Sequence, residues 1–347
     1  MTSANFRKAY YSSLGVQVVE VKPSLETALQ GDILNIERLN KLCLWVRIPH
    51  SYRALVWKVL LGTVSLTKEV WGFADAQRAE QYGDLRRCVQ CMDGGSRADE
   101  ELTPSTMVRM LLIQLDTDDQ VPHHLSGSLD RSKSSHLLAL ANTILEICEE
   151  NEEEAYWLFE YFVRKYRVPL VVHDRTSADS GVREKPDGHD ISTSPDSDAD
   201  PPPSPIAKLE EDRISMEIGA LSTLLKTHNE ELLTHILSLG RPLSTYCYAW
   251  FRTYFASVVP PHCLEGVWDI LIGGAPGILP YLGLSVFLAS KRKILAVRTS
   301  AQLVELLSQV ENIVDMDAVA NTAIDMWERP VLEGMSKELR KALGYNF

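Results

Sequence analysis

Apolar residues recur at spacings of three and four along almost the whole chain, and this rhythm restricts the fold more than any other feature. Phe6, Tyr10 and Leu14 form one such row, and Ile36, Leu39, Leu42, Cys43 and Val46 a second. Met107, Val108, Leu111, Leu112 and Leu115 follow, then Ile214, Ile218, Leu221 and Leu225, then Leu232, Leu233, Ile236 and Leu237. Strand-like alternation is nearly absent. Only Val168–Val172 is β-branched enough to suggest a short strand. The expectation is an all-α fold of amphipathic helices around a common core.

Punctuation residues mark where helices should begin and end. Ser51 is a candidate N-cap for a helix over Tyr52–Leu61, and Gly62 is placed to end it. Thr103 and Pro104 read as N-cap and first helical residue of the helix carrying Leu111 and Leu115. Leu137–Cys148 is strongly apolar. The acids of Glu149–Glu154 suit the positive end of the aromatic helix holding Tyr156, Trp157, Phe159, Tyr161 and Phe162, and a solvated turn accounts for them as well. Further helices are expected near Tyr246–Ser257, Leu264–Ile272, Leu279–Val297, Ala301–Val310 and Met316–Trp327. Gly273-Gly274-Ala275-Pro276-Gly277 lacks the Lys-Ser/Thr of a phosphate loop and reads as a joint between helices.

Charge is concentrated in one stretch. The 347-residue chain has a formal charge of −12, and Asp174–Asp212 holds eleven acids against four bases. That stretch is rich in Ser, Asp and Pro, and is expected to be a disordered insertion in a loop. Ser194 and Ser204, each followed by proline, are candidate phosphorylation sites within it. No basic stripe points to nucleic acid. The apolar run Ile278–Ala289 is too short to cross a bilayer and reads as a buried helix. No apolar signal core opens the chain, so a cytoplasmic protein with reduced thiols is expected. Cys88-x-x-Cys91 and His123-His124 stand without companion ligands, and neither metal nor cofactor is expected.

Two patterns go beyond generic helix. The first is Tyr52-Arg53-Ala54-Leu55-Val56-Trp57, which puts Arg53 and Trp57 one turn apart. The second runs through Trp250-Phe251 to Val267-Trp268-Asp269. Together they resemble the TBC domain, the helical domain of Rab GTPase-activating proteins, over about residues 45–330. On that reading residues 1–44 pack N-terminal helices on the domain and 331–347 form a tail. Asn5-Phe6-Arg7, Ser24-Leu25-Glu26 and Tyr52–Gly62 look, within the family, like the small subunit that accompanies hamartin and tuberin. Arg53, Trp57, Trp250, Trp268 and Asp269 are then family residues that build the core.

The resemblance also says what to look for chemically. Active members supply an arginine from Ile-x-x-Asp-x-x-Arg and a glutamine from Tyr-x-Gln to the GTPase. Here Ile113-Gln114-Leu115-Asp116-Thr117-Asp118-Asp119 puts Asp119 in the arginine's place, and no Tyr-x-Gln occurs in the chain. A carboxylate there opposes the negative charge of the transferring phosphate. The resemblance therefore implies a non-catalytic adaptor that binds the hamartin coiled coil, supports Rheb inactivation and restrains TOR signalling. It would reach endolysosomal or vesicle membranes only through partners. Val108, Leu111, Leu112 and Leu115 are candidate partner contacts, and core burial explains them equally well. The alternative is an active regulator of Rab-family GTPases in which Arg109 or Arg131 acts as a displaced finger.

Overall fold

The computed structural model describes residues 21–92, 101–117, 134–149, 151–170 and 205–334. Within them fourteen α-helices follow one another: α1 (Val21–Gln30), α2 (Ile36–Trp45), α3 (His50–Leu61), α4 (Trp71–Met92), α5 (Pro104–Thr117), α6 (Ser135–Ile147), α7 (Glu152–Lys165), α8 (Pro205–Ser238), α9 (Ser244–Arg252), α10 (Pro261–Ile272), α11 (Ile278–Ala289), α12 (Lys291–Ala296), α13 (Ser300–Ser308) and α14 (Met316–Gly334). No strand forms among the described residues. The nearest approach is a single antiparallel bridge between Ile33 and Thr67, and Val168–Leu170 is irregular, with 171–172 outside the described residues. The class is all-α.

Local chemistry accounts for most boundaries. The Asn35 side chain accepts from Arg38 N at 3.0 Å and opens α2. Thr103 Oγ1 accepts from Thr106 N at 3.1 Å and opens α5. Asn151 caps α7 through Glu154 N at 3.0 Å, with Glu152, Glu153 and Glu154 in the first turn and Arg164 and Lys165 in the last. That order of charge complements the helix dipole at both ends. Gly62 ends α3 at φ 89°, where a side chain would be strained, and its N–H reaches the carbonyls of Lys58 and Val59.

Three expectations need correction. α3 starts at His50 after Pro49, so Ser51 lies inside the first turn and caps nothing. The extended backbone fixed by Pro49 makes the boundary instead. Residues 205–212, grouped with the acidic insertion, form the first turns of α8, and buried Glu210 there pairs with Arg252 at 3.5 Å. The single helix expected over Leu279–Val297 breaks at Ser290 into α11 and α12. Asn229 kinks α8 with non-helical backbone, and its side chain re-caps the following turn through Leu232 N at 3.1 Å.

Two groups of helices share one core. α4, α5, α6 and α7 pack on one another, while α8, α12 and α14 pack against α11, which α9 reaches through Trp250 against Phe287. α10 touches α2, α3, α6, α11 and α14, and so belongs to both groups. α11 is apolar all round and buried from Ile278 through Phe287 except at Tyr281, as such a helix must be. The close approach of α10 to α2 depends on Gly273, where a Cβ would lie 2.7 Å from that of Cys43.

Candidate functional site

The two family patterns meet at one buried polar junction. α3 brings Arg53 and Trp57 on one face, and α10 brings Glu265 and Asp269, four residues apart on its own face. Arg53 Nε donates to Asp269 Oδ1 at 3.2 Å, Nη1 to Glu265 Oε2 at 2.6 Å and Nη2 to the Ile48 carbonyl at 2.8 Å. The Trp57 indole N–H donates to Asp269 Oδ1 at 2.8 Å. Burial raises the Asp269 carboxyl to about 6, and Arg53 and the Trp57 N–H hold it down against that pressure. Carboxylate and guanidinium form a buried ion pair at 3.2 Å.

Aromatic packing surrounds the junction. The Trp57 and Trp268 rings lie 6.1 Å apart, and Phe162 stacks on Trp268 at 5.0 Å. Trp268 Nε1 donates to the Tyr254 carbonyl at 3.0 Å. Tyr254 and Phe255 adopt positive φ, and the Arg213 guanidinium lies over the Tyr254 ring at 4.6 Å. Trp250 lies on α9 against Phe255 and Phe287. Every donor group of Arg53 is thus committed inside the fold. The geometry of this cluster fastens α3 to α10.

Helix α5 carries Ile113, Gln114, Leu115 and Asp116. Ile113 is half-buried, and the Tyr156 hydroxyl donates to Gln114 Oε1 at 2.6 Å. Asp116 lies in the last turn of α5, while Asp119, Arg131, His123, His124, Ser194 and Ser204 lie outside the described residues. Arg109 is half-buried and engaged with another group. Val108, Leu111, Leu112 and Leu115 are all buried, at 0, 0, 8 and 5 % exposure. They face neighbouring helices in the core, which corrects their assignment as partner contacts.

Other features had no signal in the sequence. Glu265 as a second partner of Arg53 is one. The partners of the acids in the first turn of α7 are another. Glu152 accepts from Leu102 N at 2.9 Å and pairs with Arg86, and Glu154 pairs with Lys58 at 3.1 Å. A cleft of about 420 Å³ opens beside them, lined by Lys58, Arg78, Glu153 and Trp157. Pairings of this kind join residues far apart in sequence, and no periodicity reports them.

Residues 206–295 match the Rab-GTPase-TBC domain family. Along 94 % of both chains the protein is 28 % identical to TBC1 domain family member 7 of Homo sapiens, over 336 residues. It is 25 % identical to the Danio rerio protein of that name, over 94 % of this chain and 95 % of the other. The fold is shared with the Chlamydomonas flagellar RabGAP TBC domain, at a TM-score of 0.52 and 16 % identity, covering 91 % of this chain and 94 % of that one. It is also shared with the Ypt/Rab-GAP domain of Gyp1p, at a TM-score of 0.50 and 10 % identity over 91 % and 99 %. The helical architecture, the matched residues and the similarity running along nearly the whole length make this chain similar to TBC-domain proteins, with the all-α fold of Rab-GAP TBC domains.

Proposed function

We propose that this chain is a non-catalytic TBC adaptor that binds the coiled coil of hamartin within a hamartin–tuberin complex, supporting Rheb inactivation and restraint of TOR signalling. The observation that carries this reading is Asp119 at the position of the family's arginine, in a chain with no Tyr-x-Gln. An arginine finger is worth roughly 10³–10⁵ in rate, and a carboxylate in its place works against the same charge. Gln114, the glutamine nearest the segment, is tied to the Tyr156 hydroxyl. A helical partner needs apolar surface, and large apolar side chains are exposed at Ile33, Val70 and Phe73. Ile33 sits at the bridge to Thr67, and Val70 follows three residues later.

The second reading is a Rab GTPase-activating protein with displaced fingers. Arg109 is its candidate on α5, and it lies eight residues before the helix end at Thr117, or about 12 Å back along the axis. The two readings separate in one pair of measurements. The adaptor co-purifies with the C-terminal helix of hamartin from the same organism and leaves GTP hydrolysis by a Rab panel at its intrinsic rate. Stimulated hydrolysis that disappears in Arg109→Ala or Arg131→Ala would establish the second reading instead.

A further inference from the structure

The first turns of α10 and α14 bring three metal-ligating side chains together, away from the Arg53 junction. His262 and Cys263 are consecutive at the start of α10, and Asp317 is the second residue of α14. One ligand atom from each, a ring nitrogen, a sulfur and a carboxylate oxygen, all lie within 4.8 Å of one another. We propose that His262, Cys263 and Asp317 bind a divalent transition metal of the zinc type and thereby clasp α10 to α14.

The spacing suits such an ion. Cys263 Sγ stands 3.4 Å from Asp317 Oδ1. Bonds of about 2.3 Å to sulfur and about 2.0 Å to oxygen at a tetrahedral angle place those two atoms about 3.5 Å apart. One nitrogen, one sulfur and one oxygen donor select zinc or cobalt over magnesium or calcium, which take oxygen. Three protein ligands leave the fourth position for water. Cys263 is buried while His262 and Asp317 are exposed, so the sulfur closes the inner side and the outer side admits the ion.

The local field favours a cation as well. The carboxylates of Asp317, Asp315 and Glu265 all lie near the Cys263 sulfur and set a negative potential there. Without an ion the thiol keeps its proton and donates to Asp317. As the sulfur–metal bond forms, that proton leaves to solvent and the cysteine ligates as thiolate. The two helices already touch nearby, where Ile324 Cδ1 lies 3.3 Å from the position of a Cβ on Gly266. The clasp would join segments 54 residues apart in sequence, and it would brace the helix that presents Glu265 and Asp269 to Arg53.

The test uses the full chain, stripped with a chelator and titrated with Co²⁺. A near-ultraviolet thiolate-to-cobalt band and visible four-coordinate bands are expected, both lost in Cys263→Ser. His262→Ala and Asp317→Asn should each weaken Co²⁺ binding by more than about tenfold. Zn²⁺ should bleach the bands and raise the Tm of the wild type but not of Cys263→Ser. Cys88 and Cys91 are exposed thiols on α4, so the double variant Cys88→Ser/Cys91→Ser serves as the control and should keep the signal. The proposal is overturned by no band at stoichiometric Co²⁺, by a band that survives Cys263→Ser, or by one lost in the control. Should Cys263→Ser fail to fold, the two exposed positions decide, and unchanged affinity in both His262→Ala and Asp317→Asn overturns it equally.

Discussion

Helices α11 and α4 are held in opposite ways. α11 has twelve residues, of which nine are buried, and it is enclosed by α8 and α14. α4 has twenty-two residues, and Val89 is its only buried one. The long helix is attached by its edges. Trp71 Nε1 donates to the Ser65 carbonyl at 2.7 Å, Arg86 pairs with Glu152, and the Arg78 guanidinium lies over Tyr161 at 5.6 Å. A helix fastened this way contributes surface, while one enclosed like α11 contributes core. The Arg53 junction combines both modes, since it is polar like the α4 contacts and buried like α11.

The largest effect is expected where burial and charge coincide. Asp269→Ala leaves the Arg53 guanidinium buried without its main partner, and should cost about 3–5 kcal/mol in denaturant unfolding. A loss below about 1 kcal/mol would mean that Glu265 and water can satisfy Arg53 alone. Within α11, Leu282→Ala removes a fully buried side chain and should cost about 2–5 kcal/mol. A smaller loss would show that the surroundings of α11 collapse into the space.

A third expectation concerns pH and lies between the extremes. His136 is buried on α6, with its Nε2–H donating to the Pro169 carbonyl at 2.6 Å. Burial pushes this imidazole down to about 4, from an ordinary value of 6.5. The unfolded chain therefore takes up the proton first, and stability falls as pH drops from 6.5 toward 4. The loss from this residue between pH 7 and pH 5 should be about 2 kcal/mol. Urea titrations at the two pH values measure it, and His136→Gln should remove that part of the slope.

The smallest effects belong to α4. Arg86→Ala breaks an ion pair whose acid is 39 % exposed, and should cost no more than about 1 kcal/mol. Phe73 is 74 % exposed, so Phe73→Ser should change stability by less than about 0.5 kcal/mol. Under the adaptor reading the same substitution weakens capture of the hamartin coiled coil. A change in Tm of many degrees for Phe73→Ser would place α4 in the core after all and end the contrast with α11.

Legibility in the sequence follows the same division. The apolar face of α2, the cap at Thr103, the stop at Gly62 and the buried run of α11 were all readable, because each depends on neighbours three or four residues away. α4 carries little apolar periodicity, so its pattern did not announce a helix. The first turns of α8 read as linker because of their charge, and only the pairing of Glu210 with Arg252 shows why that charge is buried. Leu279–Val297 read as one helix, and only the structure shows the break at Ser290.

The candidate site divides in the same manner. The motif order, Arg53 and Trp57 early and Trp268 and Asp269 late, pointed to the family. That Arg53 spans 216 residues to bond Asp269, with Glu265 as its second acceptor, was not readable. Nor was the meeting of Cys263 with Asp317. By itself the sequence determined an all-α chain and most of its helix positions, because helix periodicity and side-chain chemistry are local properties. The tertiary structure alone decided that Val108, Leu111, Leu112 and Leu115 face the core, that Arg53 is committed to α10, and which apolar side chains stay in solvent. Those outcomes depend on which helix faces which, and that is settled only when distant segments pack together.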